Sequence, residues 1–194
     1  MRVAMLGGTF DPIHIGHLLI ADEVLARLGY EQIRFVPAYT PPHKRSSLTT
    51  DDRHRLEMVR LAVDDRREFV VDTFELDERG VSYTVSTLRH LVDDPSVDGR
   101  PGLIIGEDLV AGFDRWYRVE EIVELADLIL VRRPGGSGVE FPRAHTLIGN
   151  LPLDVSSTEI RDRVRDGLPY RYLVTPVVFE YIRRNGLYER ESRV

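Results

Sequence analysis

Residues 7–17 read Gly7-Gly8-Thr9-Phe10-Asp11-Pro12-Ile13-His14-Ile15-Gly16-His17, and no other stretch of the chain gathers so many residues suited to chemistry. It follows the apolar run Val3 to Leu6 and leads straight into an amphipathic segment. A strand that breaks at paired glycines and resumes as a helix turns backbone N–H groups, and the positive end of the helix, toward an anion. His14 and His17, three apart at that helix mouth, add two side-chain donors on one side. The combination points to a site that holds a phosphate and acts on it. Other readings of the same residues stand beside this one. Paired glycines also serve a plain tight turn. The histidines could be satisfied surface or core side chains, or a zinc pair with Asp11 as nearest third ligand, although no third ligand stands at an obvious metal spacing.

The elements that position these residues follow from hydrophobic patterning. Short, almost wholly apolar runs at Val3–Leu6, Ile33–Val36, Phe69–Phe74, Leu103–Ile105 and Leu128–Val131 predict strands covered on both faces. Helices are expected between them. In the first, Leu18, Ala21, Leu25 and Leu28 line one face and Gly29 caps the end. A second starts near Thr50-Asp51 with Leu56, Val59 and Val63 on one face. Thr84 to Val92 repeats the pattern with Val85, Leu88 and Val92, and Val119 to Ala126 makes a fourth after Trp116. This alternation predicts an α/β fold with a doubly wound parallel sheet. Pro134-Gly135-Gly136-Ser137-Gly138 reads as a loop closing the strand-rich part. Beyond it, Ser156-Ser157-Thr158 caps a helix carrying Ile160, Val164 and Leu168. Thr175-Pro176 opens a last one carrying Val178, Tyr181 and Ile182, closed by Gly186. The expectation is one domain over 1–194, with a Rossmann-like core over about 1–150 and a small C-terminal helical layer over about 154–190.

Each conspicuous polar cluster lies just after a predicted strand. They are Gly7–His17, Pro41-Pro42-His43-Lys44, Ser82-Tyr83-Thr84 beyond the turn at Gly80, Gly106-Glu107-Asp108, and Arg132-Arg133-Pro134-Gly135. In an open parallel sheet all carboxyl ends share one edge, where ligands bind at the topological switch point. Five clusters on that edge argue for one composite site. Ser156, Thr158 and Arg161 form either a capped helix with a solvated arginine or a phosphate clamp. Trp116-Tyr117 reads equally as core packing or as a platform for a ring.

Composition narrows the class. The chain has 194 residues, 42% of them hydrophobic. No apolar run approaches the ~20 residues of a membrane span. Met1-Arg2 passes directly into a strand, which leaves no room for a signal peptide. With no cysteine, disulfides, thiolate zinc sites and iron–sulfur clusters are excluded, and a cytoplasmic location is expected. Twenty-six basic against 32 acidic residues give a net charge of −6, unlike a dedicated nucleic-acid binder. Basic islands at Lys44-Arg45, Arg132-Arg133 and Arg161 to Arg165 suit small polyphosphate pockets, with solvated helix faces as the alternative for Arg163 and Arg165. The sequence leaves the oligomeric state open, a homodimer included.

The run Gly7–Pro12 with His14-x-Gly16-His17 resembles the signature of the His-x-Gly-His nucleotidyltransferase superfamily. Pro41–Lys44, Phe74-Glu75-Leu76 through Gly80 to Ser82-Tyr83-Thr84, Gly106-x-Asp108, Trp116-Tyr117, Arg133-Pro134-Gly135, Ser156-x-Thr158-x-Ile160-Arg161 and Tyr181-Ile182…Gly186-Leu187-Tyr188 continue the match in order. Over nearly the whole chain the series is similar to the bacterial nicotinate-nucleotide adenylyltransferases. The resemblance implies adenylyl transfer from ATP to nicotinic acid mononucleotide, with magnesium carried on the ATP phosphates and no protein metal cage. It implies that His17 stabilises the α-phosphate, with His14 alongside and Lys44 reaching phosphate from a closing loop. Gly8, Thr9 and Phe10 would lie near the reacting phosphate, and Gly106 and Asp108 at the adenosine ribose. Ser156, Thr158 and Arg161 would hold the β- and γ-phosphates. Thr84, Trp116, Tyr117, Lys44 and Arg133 would bind the nicotinate nucleotide. Glu107 stands out as an extra negative charge beside the ribose contact. Rival readings are a related transferase acting on pantetheine phosphate or a cytidylyl acceptor, and a non-catalytic nucleotide-sensing module. Ser82-Tyr83-Thr84 and Trp116-Tyr117 argue against the first, and intact His14, His17 and Arg161 against the second.

Overall fold

The apolar runs become the strands of one parallel sheet, and the amphipathic segments cover both its faces. The computed structural model describes residues 1–40, 50–132, 140–149 and 153–190. Along them run β1 (Val3–Gly8), α1 (Ile15–Leu28), β2 (Gln32–Pro37), α2 (Asp52–Val63), β3 (Phe69–Val71), α3 (Phe74–Glu78) and α4 (Thr84–Asp93). Then come β4 (Gly102–Gly106), α5 (Glu107–Val110), a 3-10 turn (Phe113–Arg115), α6 (Val119–Leu125) and β5 (Asp127–Val131). The remainder is β6 (Thr146–Ile148), α7 (Ser157–Arg165) and α8 (Pro176–Arg184).

The strand order is β3-β2-β1-β4-β5-β6, with every pair parallel. Order reverses at β1, so the crevice between the carboxyl ends of β1 and β4 is the switch point where such sheets take ligands. Alternate side chains of each strand enter opposite layers. Ala4, Leu6, Ile33, Phe35, Ile104 and Ile129 pack with α1, α2, α7 and α8. Met5, Val36, Leu103, Ile105, Leu128 and Leu130 pack with α4 and α6. The expected C-terminal helices thus join the layer that α1 and α2 begin. No helix among the described residues is long and apolar enough to cross a membrane.

The expected helix ends hold: Gly29 takes φ 67° after α1, Asp51 accepts the Arg53 N–H, and Thr175 accepts the Val178 N–H. Several expectations need correction. The run Phe69–Phe74 is not one strand, because Asp72 Oδ1 accepts the Phe74 N–H at 3.0 Å and turns the chain into α3. A strand lies beyond the expected end of the sheet: β6 is three residues long, with Thr146 and Leu147 exposed, so no apolar run marks it. In α4 the core residue is Leu91, while Val92 is 44% exposed. Leu168 lies outside α7, since Gly167 at φ 67° ends the helix and Leu168 returns its N–H to the Arg163 carbonyl at 2.7 Å. In α2 the buried stripe contains Arg55 and Met58, and Leu56 is only half-buried.

Candidate active site

The first half of the site is the turn from β1 into α1. His14 is the N-cap of α1 and is buried; its backbone N–H donates to His17 Nδ1 at 3.2 Å. An accepting Nδ1 puts the proton of the neutral imidazole on Nε2, so His17 presents an N–H donor at its far edge. The two rings stack with centroids 3.7 Å apart, and the Phe10 ring meets His17 edge-on at 5.0 Å. Phe10 is buried in the left-handed region at φ 50°, a conformation costing of order 1–3 kcal/mol for a bulky residue, so the surrounding packing holds it there. Gly8 makes room for it: a Cβ at Gly8 would stand 3.2 Å from the Phe10 ring.

Gly16 has a different necessity. A Cβ there would lie 2.9 Å from Val155 Cγ1 and 3.0 Å from His14 Nδ1. Alanine normally helps a helix by about 1 kcal/mol over glycine. Here Gly16→Ala is expected to reverse that sign, destabilising the fold by about 1–3 kcal/mol through overpacking and pushing His14 from its stack. Urea unfolding of the variant measures it, and unchanged or higher stability contradicts the close approach.

The second half is the start of α7. Ser156 caps the helix by accepting the Glu159 N–H at 3.1 Å. Ser157 Oγ donates to the Pro12 carbonyl at 2.8 Å, and Arg161 Nη1 donates to the Asp11 carbonyl at 2.7 Å. Arg161 Nη2 reaches Thr158 Oγ1 at 3.2 Å. The start of α7 is therefore tied directly to the His-x-Gly-His segment, and the polar groups of both helix mouths share one region. Arg163 and Arg165 instead pair with Glu159 and Asp162 on the outer surface.

Behind these mouths lies a buried polar brace. Asp11 Oδ1 accepts the Tyr188 hydroxyl at 2.8 Å and Oδ2 accepts the Thr50 N–H at 3.2 Å. Burial, then the Asp11 carboxylate, push the Tyr188 phenol well above its ordinary range, so it stays a donor. Both Asp11 oxygens thus brace the turn from behind, and among the described residues no three His, Asp or Glu side chains converge as metal ligands. Arg55 is 1% exposed and donates to the carbonyls of Thr9 and Ala38 at 2.8 Å each, Thr50 at 3.1 Å and Tyr39 at 3.4 Å. Burial lowers its affinity for a proton and Asp11 opposes that, but a guanidinium remains charged at neutral pH.

On the far side of the crevice, Thr84 is the first residue of α4 and half-buried. Ser82 comes to the end of β2 rather than of β3: its N–H donates to the Thr40 carbonyl and its Oγ accepts the Tyr39 N–H, both at 3.0 Å. Trp116 is half-buried with its ring 5.1 Å from Phe113, and Tyr117 is exposed, its ring 4.7 Å from Tyr83. The turn before α4 and the Trp116-Tyr117 loop thus meet through neighbouring tyrosines. Ion pairs flank that loop, with Glu121 on Arg89 and Arg118, and Arg143 on Asp114 and Glu120.

At β4 the exposed Asp108 curls back, its Oδ1 only 2.5 Å from where a Gly106 Cβ would stand, so Gly106 leaves room for that carboxylate. Glu107 is not an open charge beside it: the side chain is buried and pairs with Arg132 at 3.3 Å. Lys44, with Pro41-Pro42-His43, and Arg133, with Pro134 to Gly138, lie outside the described residues. The sequence does not single out Arg55, which the fold brings against the Thr9 carbonyl. The available signal was a charged residue at helical spacing with buried apolar ones, Arg55 with Met58, Val59 and Ala62.

The cytidylyltransferase-like family model matches residues 5–163. The chain is 39% identical to the nicotinate-nucleotide adenylyltransferase of Bacillus subtilis over 189 residues, covering 97% of this chain and 98% of that protein. It is 38% identical over 191 residues to a Streptococcus pyogenes serotype M3 protein described as a probable nicotinate-nucleotide adenylyltransferase, covering 97% and 89%. Its fold is similar to that of Plasmodium falciparum nicotinic acid mononucleotide adenylyltransferase complexed with NaAD, with TM-score 0.80, 19% identity, and 96% and 97% of the two chains covered. Motif order, sheet topology and extended sequence identity agree, and the chain belongs to the nicotinate-nucleotide adenylyltransferases within the cytidylyltransferase-like family.

Proposed function

We propose that this chain transfers the adenylyl group of ATP to the phosphate of nicotinic acid mononucleotide, giving deamido-NAD and pyrophosphate. The observation that carries the reading is the joining of two phosphate-type helix mouths on one peptide segment. Arg161 and Ser157 grip the Asp11 and Pro12 carbonyls at 2.7 and 2.8 Å, next to the stacked His14 and His17. A triphosphate laid across both mouths places its α-phosphorus at the histidines and its β- and γ-phosphates at Ser156, Thr158 and Arg161.

A phosphate oxygen of the mononucleotide attacks the α-phosphorus in line. The new P–O bond forms as the bond to the bridging oxygen of pyrophosphate breaks. The nucleophile is already anionic at neutral pH, so the protein supplies position and charge stabilisation and needs no base. His17 Nε2–H meets the non-bridging α-oxygen as charge gathers on it, with His14 beside it and Lys44 as a further charge on the phosphates. Gly8, Thr9 and Phe10 bring backbone close to the reacting phosphate. Gly106 and Asp108 hold the adenosine ribose. Magnesium enters as part of the substrate, on the ATP phosphates, where it neutralises charge. Thr84, Trp116, the backbone at Tyr117, and Arg133 receive the nicotinate nucleotide, and N–H donors there favour its carboxylate over an amide.

The test is incubation of the protein with ATP, magnesium and a panel of acceptors: nicotinic acid mononucleotide, its amide counterpart and pantetheine phosphate. Product mass should show deamido-NAD with release of pyrophosphate. Adenylylated pantetheine phosphate without deamido-NAD overturns the acceptor assignment. Tight ATP binding with no pyrophosphate released overturns the catalytic one.

A further inference from the structure

The acceptor side of the crevice rests on a buried carboxylic acid that the mechanism does not use. Glu75, on α3, is only 8% exposed. Its Oε1 accepts the Thr87 hydroxyl at 2.6 Å, and the Ser82 side chain favours the charged form of the same carboxyl from nearby. Thr87 is itself fully buried, in the first turns of α4, and Ser82 stands two residues ahead of Thr84. The carboxyl thus holds α4 through Thr87, with the Ser82 side chain near it ahead of the helix.

Ser82 passes the constraint on. Its Oγ accepts the Tyr39 N–H, its own N–H donates to the Thr40 carbonyl, and Thr40 pairs with Val81 as an isolated parallel bridge. The Tyr39 carbonyl in turn receives Arg55, which also holds the Thr9 carbonyl of the phosphate motif. Hydrogen bonds therefore join Thr9 to Ser82 through Arg55 and Tyr39, and a separate buried one joins Glu75 to Thr87 of α4.

Burying a carboxyl is costly unless its hydrogen bonds are all made. Burial pushes the Glu75 carboxyl up, the two hydroxyls only partly oppose this, and the charged group acting on it is Asp72, of like sign. A leucine would fill the same space more cheaply. It would leave the buried Thr87 hydroxyl without its acceptor and remove the carboxyl beside Ser82.

We propose that Glu75 is a positioning residue for acceptor recognition: through Ser82 and Thr87 it holds the Ser82–Thr84 turn and the first turn of α4 in register with the phosphate motif. The proposal rests on the reading of Thr84 as an acceptor contact. Because Glu75 acts on the turn and not on the ATP half, its loss moves the acceptor's KM and spares that of ATP. A displacement near 1 Å at a recognition group is enough for a large kinetic effect.

The experiment measures kcat and both KM values for Glu75→Leu, Glu75→Gln, Ser82→Ala and Thr84→Val. Glu75→Leu and Ser82→Ala should each raise the KM of nicotinic acid mononucleotide about tenfold, with the KM of ATP and kcat within about threefold of the parent. Glu75→Gln, which keeps an acceptor for Thr87 and an amide for Ser82, should restore the acceptor KM to within about threefold. Equal losses for both substrates, or no change, in Glu75→Leu and Ser82→Ala overturn the proposal, as does a Gln variant no better than Leu. Should Glu75→Leu fail to fold, Ser82→Ala and Glu75→Gln decide it alone. Thr84→Val separates the two layers of the argument. If it leaves the acceptor KM unchanged, the reading of Thr84 falls and this inference with it. If it raises that KM while the Glu75 and Ser82 variants do not, only the inference falls.

Discussion

Alanine in place of His17 lowers turnover by about 10²- to 10³-fold, the range expected when one preorganised donor to a developing oxyanion is removed. The KM values for both substrates stay within about threefold, because charge on the α-phosphate oxygens grows toward the transition state and a donor aimed there acts mainly on kcat. Preorganisation is visible in three contacts. The His14 N–H on Nδ1 at 3.2 Å fixes the tautomer, the His14 ring at 3.7 Å fixes one face, and the Phe10 edge at 5.0 Å limits rotation. No reorganisation is then needed as the phosphorus passes through its five-coordinate geometry. Folding should lose about 1–3 kcal/mol, since the variant leaves the N–H of the buried His14 without its acceptor. Steady-state kinetics with thermal unfolding on the same sample measures both. Turnover within about threefold of the parent removes His17 from the chemistry.

The elements that carry this site were legible because each announces itself locally. The capped start at Ser156 and the stop at Gly29 are one-segment signals that fall where the sequence puts them, while the strand expected to break at Gly7-Gly8 runs through both, paired with Val36 and Pro37. The brace behind the site was not legible, for a physical reason. An arginine in a helix belongs by default in water, and Arg55 is buried only because carbonyls of Thr9, Ala38, Tyr39 and Thr50 converge on it. Reading the α2 stripe through Leu56 in place of Arg55 shifts it by one residue and hides that convergence. Glu107 misled in the same way. As an isolated charge it opposes a ligand in the crevice, but Arg132, at the end of the next strand, pairs with it. The edge strand β6 fails for want of pattern, since three residues with one parallel neighbour carry too little burial to write an alternation.

Replacing Arg55 by methionine should cost at least about 3 kcal/mol of folding stability, the low end for breaking a buried charge, here held by four hydrogen bonds. The side chain's volume is roughly kept, so the loss comes from polar groups and not from a cavity. Hydrogen bonds from a charged donor contribute about 1.5–3 kcal/mol each, and four carbonyls lose theirs. Relief from desolvating the guanidinium offsets part of that. Two of the orphaned carbonyls belong to Thr9 and Thr50, and Thr50 is also held through its N–H by Asp11. The variant therefore loosens the phosphate motif and the entry to α2 together. Lysine recovers only a minor part of the loss, because one ammonium cannot present the planar fork that reaches carbonyls on separate segments. Urea unfolding measures the series, with an unchanged m-value showing that stability alone has moved. A loss below about 1 kcal/mol in Arg55→Met, or full recovery in Arg55→Lys, means that packing rather than the guanidinium ties the β1 and β2 exits together. Because a domain's whole stability is about 5–15 kcal/mol, the expected loss is large enough to appear as reduced soluble yield. It acts upstream of catalysis, so per folded molecule the KM of ATP should rise more than that of the acceptor. That is the reverse of the split expected for Glu75→Leu on the acceptor side of the crevice.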